Sequence, residues 1–143
     1  KEEIHTETVM LDVGCGSGIL SVAGLLLGAG RAVGVDIDPL AVKTALENAK
    51  TNGVEERFQG ICGNLTDQVT GKYGLVVANI VADVILLLTK DIERYLNRDT
   101  VYLMSGIIDT RVQEVRDALA PRFAIIEERQ EKGWFALAAK LKN

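Results

Sequence analysis

The stretch "VMLDVGCGSGIL", residues 9–20, decides the fold. An apolar, β-branched run at residues 8–13, broken only by Asp12, reads as a buried strand. Glycine then takes every second position, Gly14, Gly16 and Gly18, before a greasy segment begins at Ile19. Glycine weakens helices and strands alike. Three so close together mark a place where the backbone passes close to something bulky. A strand that hands over to a helix through such a loop turns backbone N–H groups and a positive helix terminus toward a ligand.

Strand and helix signals alternate along the rest of the chain. Residues 19–27 are apolar on nearly all sides, which predicts a helix packed into the interior, stopped by Gly28 and Gly30. Residues 32–36 (AVGVD) form a second short strand. Residues 39–52 carry Val42, Ala45, Leu46 and Ala49 at helical spacing, with Asp38 as N-cap, Pro39 in the first turn and Gly53 at the end. Strands are expected at 58–62, 74–78 and 100–104. A long helix is expected over 81–96, with Val84, Ile85, Leu88, Ile92, Tyr95 and Leu96 on one face, and a shorter one over 110–119, ended by Pro121. Two closing strands at 123–128 and 134–140 flank a polar turn at 130–133. This order predicts an α/β, Rossmann-like fold: a mostly parallel, seven-stranded sheet with helices on both faces and an antiparallel hairpin at its C-terminal edge.

Composition narrows the function. The chain has 143 residues, 48% hydrophobic and 25% charged, and reads as one domain spanning 1–143. A net charge of −4 and a pI near 5.0 argue against direct nucleic-acid binding, which needs a basic face. His5 is the sole histidine, expected to be solvated, and Cys15 and Cys62 lie far apart, so no metal site is expected. The two cysteines read as small buried thiols in a reducing compartment, which points to the cytoplasm. Apolar runs are too short to cross a bilayer and no signal peptide is visible, so no membrane partner is expected. Starting at Lys1 rather than Met, the chain reads as a fragment or a processed product.

In an open parallel sheet the ligand lies beyond the carboxyl ends of the strands, at the switch point of the topology. The glycine loop sits there, and Asp36 closes the second strand 22 residues after Gly14, where a carboxylate can accept hydrogen bonds from ribose hydroxyls. Two cofactor classes share this geometry. The nicotinamide fingerprint is G-x-G-x-x-G around a pyrophosphate, whereas this chain shows G-x-G-x-G with Asp12 two residues before it. A carboxylate that close repels a pyrophosphate and suits an ammonium. The spacing favours S-adenosylmethionine, which has a ribose, no phosphate and an amino-acid tail, over a dinucleotide.

The segments "VMLDVGCGSGILSVA", "GVDIDPLAVKTALENAKTNGV", "LVVANIVADVI" and "LMSGII" occur in that order. Together they resemble the catalytic domain of the ribosomal-protein lysine methyltransferases of the PrmA type, over about residues 9–141. The first two blocks are common to many class I methyltransferases; the last two narrow the resemblance. It implies an S-adenosylmethionine-dependent N-methyltransferase acting on large-subunit ribosomal protein L-eleven, with S-adenosylhomocysteine as product; the alternatives are a class I methyltransferase acting on another protein or a small molecule, and a cofactor-binding module inactive without its missing parts. It also implies roles. Gly14, Gly16 and Gly18 would line the methionine part of the cofactor, with Asp12 near its ammonium. Asp36 would hold the ribose, Ile37 would pack on the adenine face and Asn64 would face the adenine amino group. Asn79, at the end of the fourth strand, would border both the cofactor and the reacting nitrogen as the catalytic residue. Many amino-group methyltransferases carry Asn-Pro-Pro-aromatic there; this chain has Asn79, Ile80, Val81 and Ala82. The family's Gly-Thr-Gly-x-His-x-Thr-Thr segment and its N-terminal substrate-recognition domain have no counterpart in the sequence, and "HTET" at residues 5–8 lies too close to the first strand to be the former. Ser105 and Gly106 are expected to shape the crevice, and Trp134 and Phe135 to pack against the sheet.

Overall fold

Strand β1 (Val9–Val13) shows how the sheet is built. Its side chains alternate between faces, Leu11 and Val13 into one apolar cluster and Met10 into the other. The computed structural model describes residues 8–64 and 69–142; His5 lies outside them. After β1 come α1 (Ile19–Leu26), β2 (Arg31–Asp36), α2 (Pro39–Thr51), β3 (Phe58–Cys62), β4 (Tyr73–Asn79), α3 (Ala82–Thr89), β5 (Leu96–Ile108), α4 (Val112–Leu119), β6 (Phe123–Glu131) and β7 (Trp134–Leu141).

The strand order is β3-β2-β1-β4-β5-β7-β6. The β1–β2, β2–β3, β1–β4 and β4–β5 pairs are parallel, and β7 is antiparallel to both β5 and β6. The chain moves outward from β1 to β3, then returns to β4 on the other side of β1. That reversal opens a crevice beyond the carboxyl ends of β1 and β4. Val22, Leu25, Ala45 and Ala49 of α1 and α2 pack with Met10, Phe58, Leu75 and Val77 on one face. On the other, Ile85, Leu88, Val115 and Leu119 of α3 and α4 pack with Leu11, Val76, Tyr102 and Leu137. Among the described residues no helix is long and apolar enough to cross a membrane.

Three expectations need correction. The apolar helix is not enclosed: Ile19 and Leu26 are 68% and 60% exposed, because a helix of eight residues rests on the sheet by one face, through Ser21, Val22, Gly24 and Leu25. The long helix over 81–96 divides. α3 ends at Thr89, a 3₁₀ turn occupies Ile92–Tyr95 and Leu96 already belongs to β5. Thr89 donates its hydroxyl to the Ile85 carbonyl (2.8 Å) and lies 3.1 Å from the Tyr102 hydroxyl, while Ile92 and Tyr95 remain buried. Finally, only Cys15 is a buried thiol; Cys62 is exposed. The hairpin forms as expected, its turn reduced to Lys132 and Gly133, both at positive φ as a two-residue turn of this kind requires.

Candidate active site

The glycine loop is shaped by the end of β2. Gly14 and Cys15 both donate their N–H groups to the Val35 carbonyl (2.8 and 2.9 Å), and Gly16 donates to one carboxylate oxygen of Asp36 (2.9 Å). The other Asp36 oxygen accepts from the Asp38 N–H (2.9 Å). A carboxylate offers about four lone-pair positions, so half of the acceptor capacity of Asp36 remains for a ligand. Asp38 caps α2 as expected, accepting from the Leu40 N–H at 2.9 Å. Asn48 of α2 donates to the Ser17 carbonyl (2.8 Å), tying the loop to the second helix.

The glycines act differently along the loop. Gly14 and Gly18 both have positive φ, and a Cβ on either would collide, with Ile80 at 2.5 Å and with Ala45 at 2.8 Å. A Cβ at Gly16 would meet nothing within 4 Å, so that side of the loop faces open space. Two of the glycines thus let the loop close onto the residue just past β4 and onto α2, and the third leaves room in front of it.

Asp12 lies behind the loop, 1% exposed, and accepts the Ser21 hydroxyl at 2.7 Å. Burial pushes its pKa up to about 6; the Ser21 hydrogen bonds oppose the rise and the charge of Asp36 adds to it. Burial, with the charges of Asp12 and Asp36, pushes the Cys15 thiol up to about 12, so this thiol stays protonated and unreactive.

Around the mouth of the crevice stand Ile37, 68% exposed, and Cys62, whose thiol donates to the Ile37 carbonyl (3.5 Å). Gly63 donates to the Asp36 carbonyl (3.0 Å), which holds the ends of β2 and β3 together. Asn64 follows, exposed. Across the crevice, Asn79 is exposed at the last position of β4 and pairs in register with Ser105 of β5. Hydrogen bonds join Gly14 and Gly16 to Val35 and Asp36, Gly14 lies against Ile80 beside Asn79, and Gly18 packs on Ala45; Ile37 and Asn64 are exposed just past the ends of β2 and β3, and Asp12 is buried near the end of β1.

Beyond Asn79 a groove of about 540 Å³ runs between β5 and the β6–β7 hairpin. Ser105, Gly106, Arg129, Glu131 and Trp134 line it. Trp134 corrects the packing expectation, since it is 53% exposed in this groove. Phe135 also borders the groove but is partly buried against the core, with the Arg116 guanidinium 5.4 Å from its ring centroid. Sequence reasoning missed Ser21, Asn48 and the exposure of Trp134. Ser21 and Asn48 carried no local signal, and only the alternation of Trp134 and Phe135 along a strand could have separated those two aromatics.

Comparison with known proteins agrees with this fold. The family model for ribosomal protein L11 methyltransferase (PrmA) matches residues 1–142. A ribosomal protein L11 methyltransferase of Alkaliphilus oremlandii is 41% identical over 98% of the chain, and one of Clostridium perfringens is 42% identical over 97%. The chain spans only 45% and 44% of the lengths of those two relatives. The crystal structure of a ribosomal protein L11 methylase from Lactobacillus delbrueckii superposes with a TM-score of 0.92 at 34% identity, over 95% of this chain and 71% of that one. An RNA methyltransferase from Salinibacter ruber, solved with S-adenosylhomocysteine, shares the fold at a TM-score of 0.80 and 21% identity, over 99% of this chain and 86% of that one. The glycine loop, the acid closing β2 and the asparagine closing β4 thus stand on the fold of a known lineage, and the chain belongs to the ribosomal protein L11 methyltransferase (PrmA) family.

Proposed function

We propose that this chain is the S-adenosylmethionine-binding catalytic domain of an N-methyltransferase that modifies an amino group of ribosomal protein L11. The observation that carries the reading is the Asp36 carboxylate. It already holds the loop through Gly16 and Asp38, and about half of its acceptor capacity remains for ribose hydroxyls. The open space at Gly16 accommodates the amino-acid tail. Asp12 lies beneath it, its negative charge favourable to an ammonium. Ile37 supplies an apolar face for the adenine and Asn64 a polar edge.

When bound, the cofactor supplies a sulfonium methyl, passed in line to a neutral amine: the N–C bond forms as the C–S bond breaks, and the electron pair of that bond stays on sulfur. A free lysine has a pKa near ~10.4, so the acceptor must first lose a proton, which its transfer into a partly desolvated groove favours. Asn79 accepts a hydrogen bond from the amine and aims its lone pair; the proton goes to water. Aligning donor and acceptor in this way contributes roughly 7–11 kcal/mol. On the acceptor side, the exposed Trp134 ring suits the aliphatic stem and cationic head of an incoming lysine. Glu131, which makes no ion pair among the described residues, adds a favourable charge. A ribosomal substrate and the free thiols of Cys15 and Cys62 support a cytoplasmic protein.

The direct test is calorimetric titration with S-adenosylhomocysteine, together with methyl transfer from labelled cofactor to purified ribosomal protein L11 by the full-length protein. Binding and labelling are expected. Saturation by NADH without binding of S-adenosylhomocysteine would reject the reading.

A further inference from the structure

We infer that Gly106 is a positioning residue for methyl transfer: its missing side chain is the seat on which the Asn79 amide rests. The inference builds on the role proposed for Asn79 and concerns a different residue. Gly106 lies in β5 with φ +79°, a left-handed conformation that side chains resist. It falls where the register between β5 and β7 shifts, between Met104 and Ile107. That irregularity lifts the residue out of the ladder and turns its α-carbon toward the end of β4. A Cβ there would lie 2.9 Å from the Asn79 side-chain oxygen and 3.3 Å from the Ile80 carbonyl oxygen.

The contact is matched from the opposite side. A Cβ on Gly14 would lie 2.5 Å from Ile80 Cγ2. Asn79 and Ile80 therefore pass between two left-handed glycines, one from the cofactor loop and one from β5. Neither flank has space for a methyl group: Gly14 bears on the Ile80 side chain, and Gly106 alone bears on the Asn79 amide. The two glycines are not equivalent. Gly14 belongs to the loop that receives the cofactor, whereas Gly106 lines the groove that receives the acceptor. The cheapest relief of a collision at Gly106 is a swing of the Asn79 amide, the far end of a flexible side chain. Such a swing misaims the amine and leaves the cofactor cleft intact. A misplacement of about 1 Å at a reacting centre costs up to roughly a hundredfold in rate.

The test is a set of variants in the full-length protein, read by kcat for methylation of ribosomal protein L11 and by the Kd of S-adenosylhomocysteine. Gly106→Ala is expected to lower kcat about tenfold or more and to leave the Kd within about twofold, whereas Gly14→Ala worsens both. In an Asn79→Ala background, already slow, Gly106→Ala is expected to cost less than about twofold further, because the group it displaces is gone. A Gly106→Ala enzyme with normal kcat, or one whose loss is the same with and without Asn79, overturns the inference. If Gly106→Ala fails to fold, Asn79→Gln asks the same question without touching the backbone. A glutamine carries its amide one methylene past the gap beside Gly106, so Asn79→Gln is expected to be as slow as Asn79→Ala, and near-normal turnover overturns the inference. Unchanged kcat in Asn79→Ala strikes instead at the role of Asn79 itself, a result distinguishable from every other.

Discussion

The two halves of the sheet solve opposite problems. In the half formed by β1, β2 and β3, backbone N–H groups of the glycine loop are already bonded to Val35 and Asp36, and Asn48 braces the loop from α2. This half is set before a ligand arrives, so binding pays little for ordering it. In the half formed by β4, β5 and the hairpin, the β5–β7 ladder shifts register at Ser105 and Gly106, and a large aromatic ring stands in an open groove. On the proposed function, the cofactor would meet a finished surface and the acceptor one with room. The contrast predicts that changes in the first half act on cofactor affinity and changes in the second on turnover and acceptor recognition.

The largest expected effect lies in the first half. Asp36→Ala removes two prospective charge-assisted bonds to the ribose, each worth ~1.5–3 kcal/mol, and also frees the loop. S-adenosylhomocysteine affinity should fall by about a hundredfold or more on calorimetric titration; an unchanged Kd would break the comparison at its root. Next comes Asp12. Its folded pKa, about 6, lies above its ordinary value of 3.8, so the folded form binds more protons between those two values. Stability from this group is therefore greatest on the acid side and is lost as pH rises through about 6. At neutral pH the ionised form costs roughly 2–3 kcal/mol. Urea unfolding of Asp12→Asn should show its stability, relative to the parent, rising by roughly that amount between pH ~4 and ~7. A flat difference would mean that Asp12 is not held in a desolvated site.

A smaller change is expected across the crevice. Trp134→Ala should raise the KM for the ribosomal protein about tenfold while leaving S-adenosylhomocysteine affinity alone. Equal damage to both would mean that the halves are not separable. The smallest is at the cap of α2. Asp38→Ala should cost ~1 kcal/mol of stability in denaturant titration, without the affinity loss of its neighbour Asp36. A matching affinity loss would show that the cap and the ribose site act as one unit.

The same division explains what the sequence revealed. The glycine loop, Asp36, the Asp38 cap and the alternating strands of the first half depend on neighbours close in the chain, and such patterns are legible. The second half depends on distant partners. Leu88, Ile92 and Tyr95 satisfy both α and 3₁₀ spacing, so their burial could not show that the helix stops at Thr89. Asn97, Arg98 and Asp99 look like a loop, yet they lie in β5, where the Asn97 N–H is taken by the Thr100 hydroxyl (2.9 Å). Leu26 and Ile19 look like core because hydrophobicity does not record which side of a short helix meets the sheet. The partner of Asp12, Ser21, sits nine residues on, with nothing in the spacing to announce it.

The exposed thiol of Cys62 has a practical consequence. Of the two cysteines in this chain, Cys15 is buried and held protonated, so a maleimide dye would attach at one place, on the rim beside Ile37. Its emission would then follow the arrival of an adenine ring in real time, giving an optical readout of occupancy that needs neither radiolabel nor turnover.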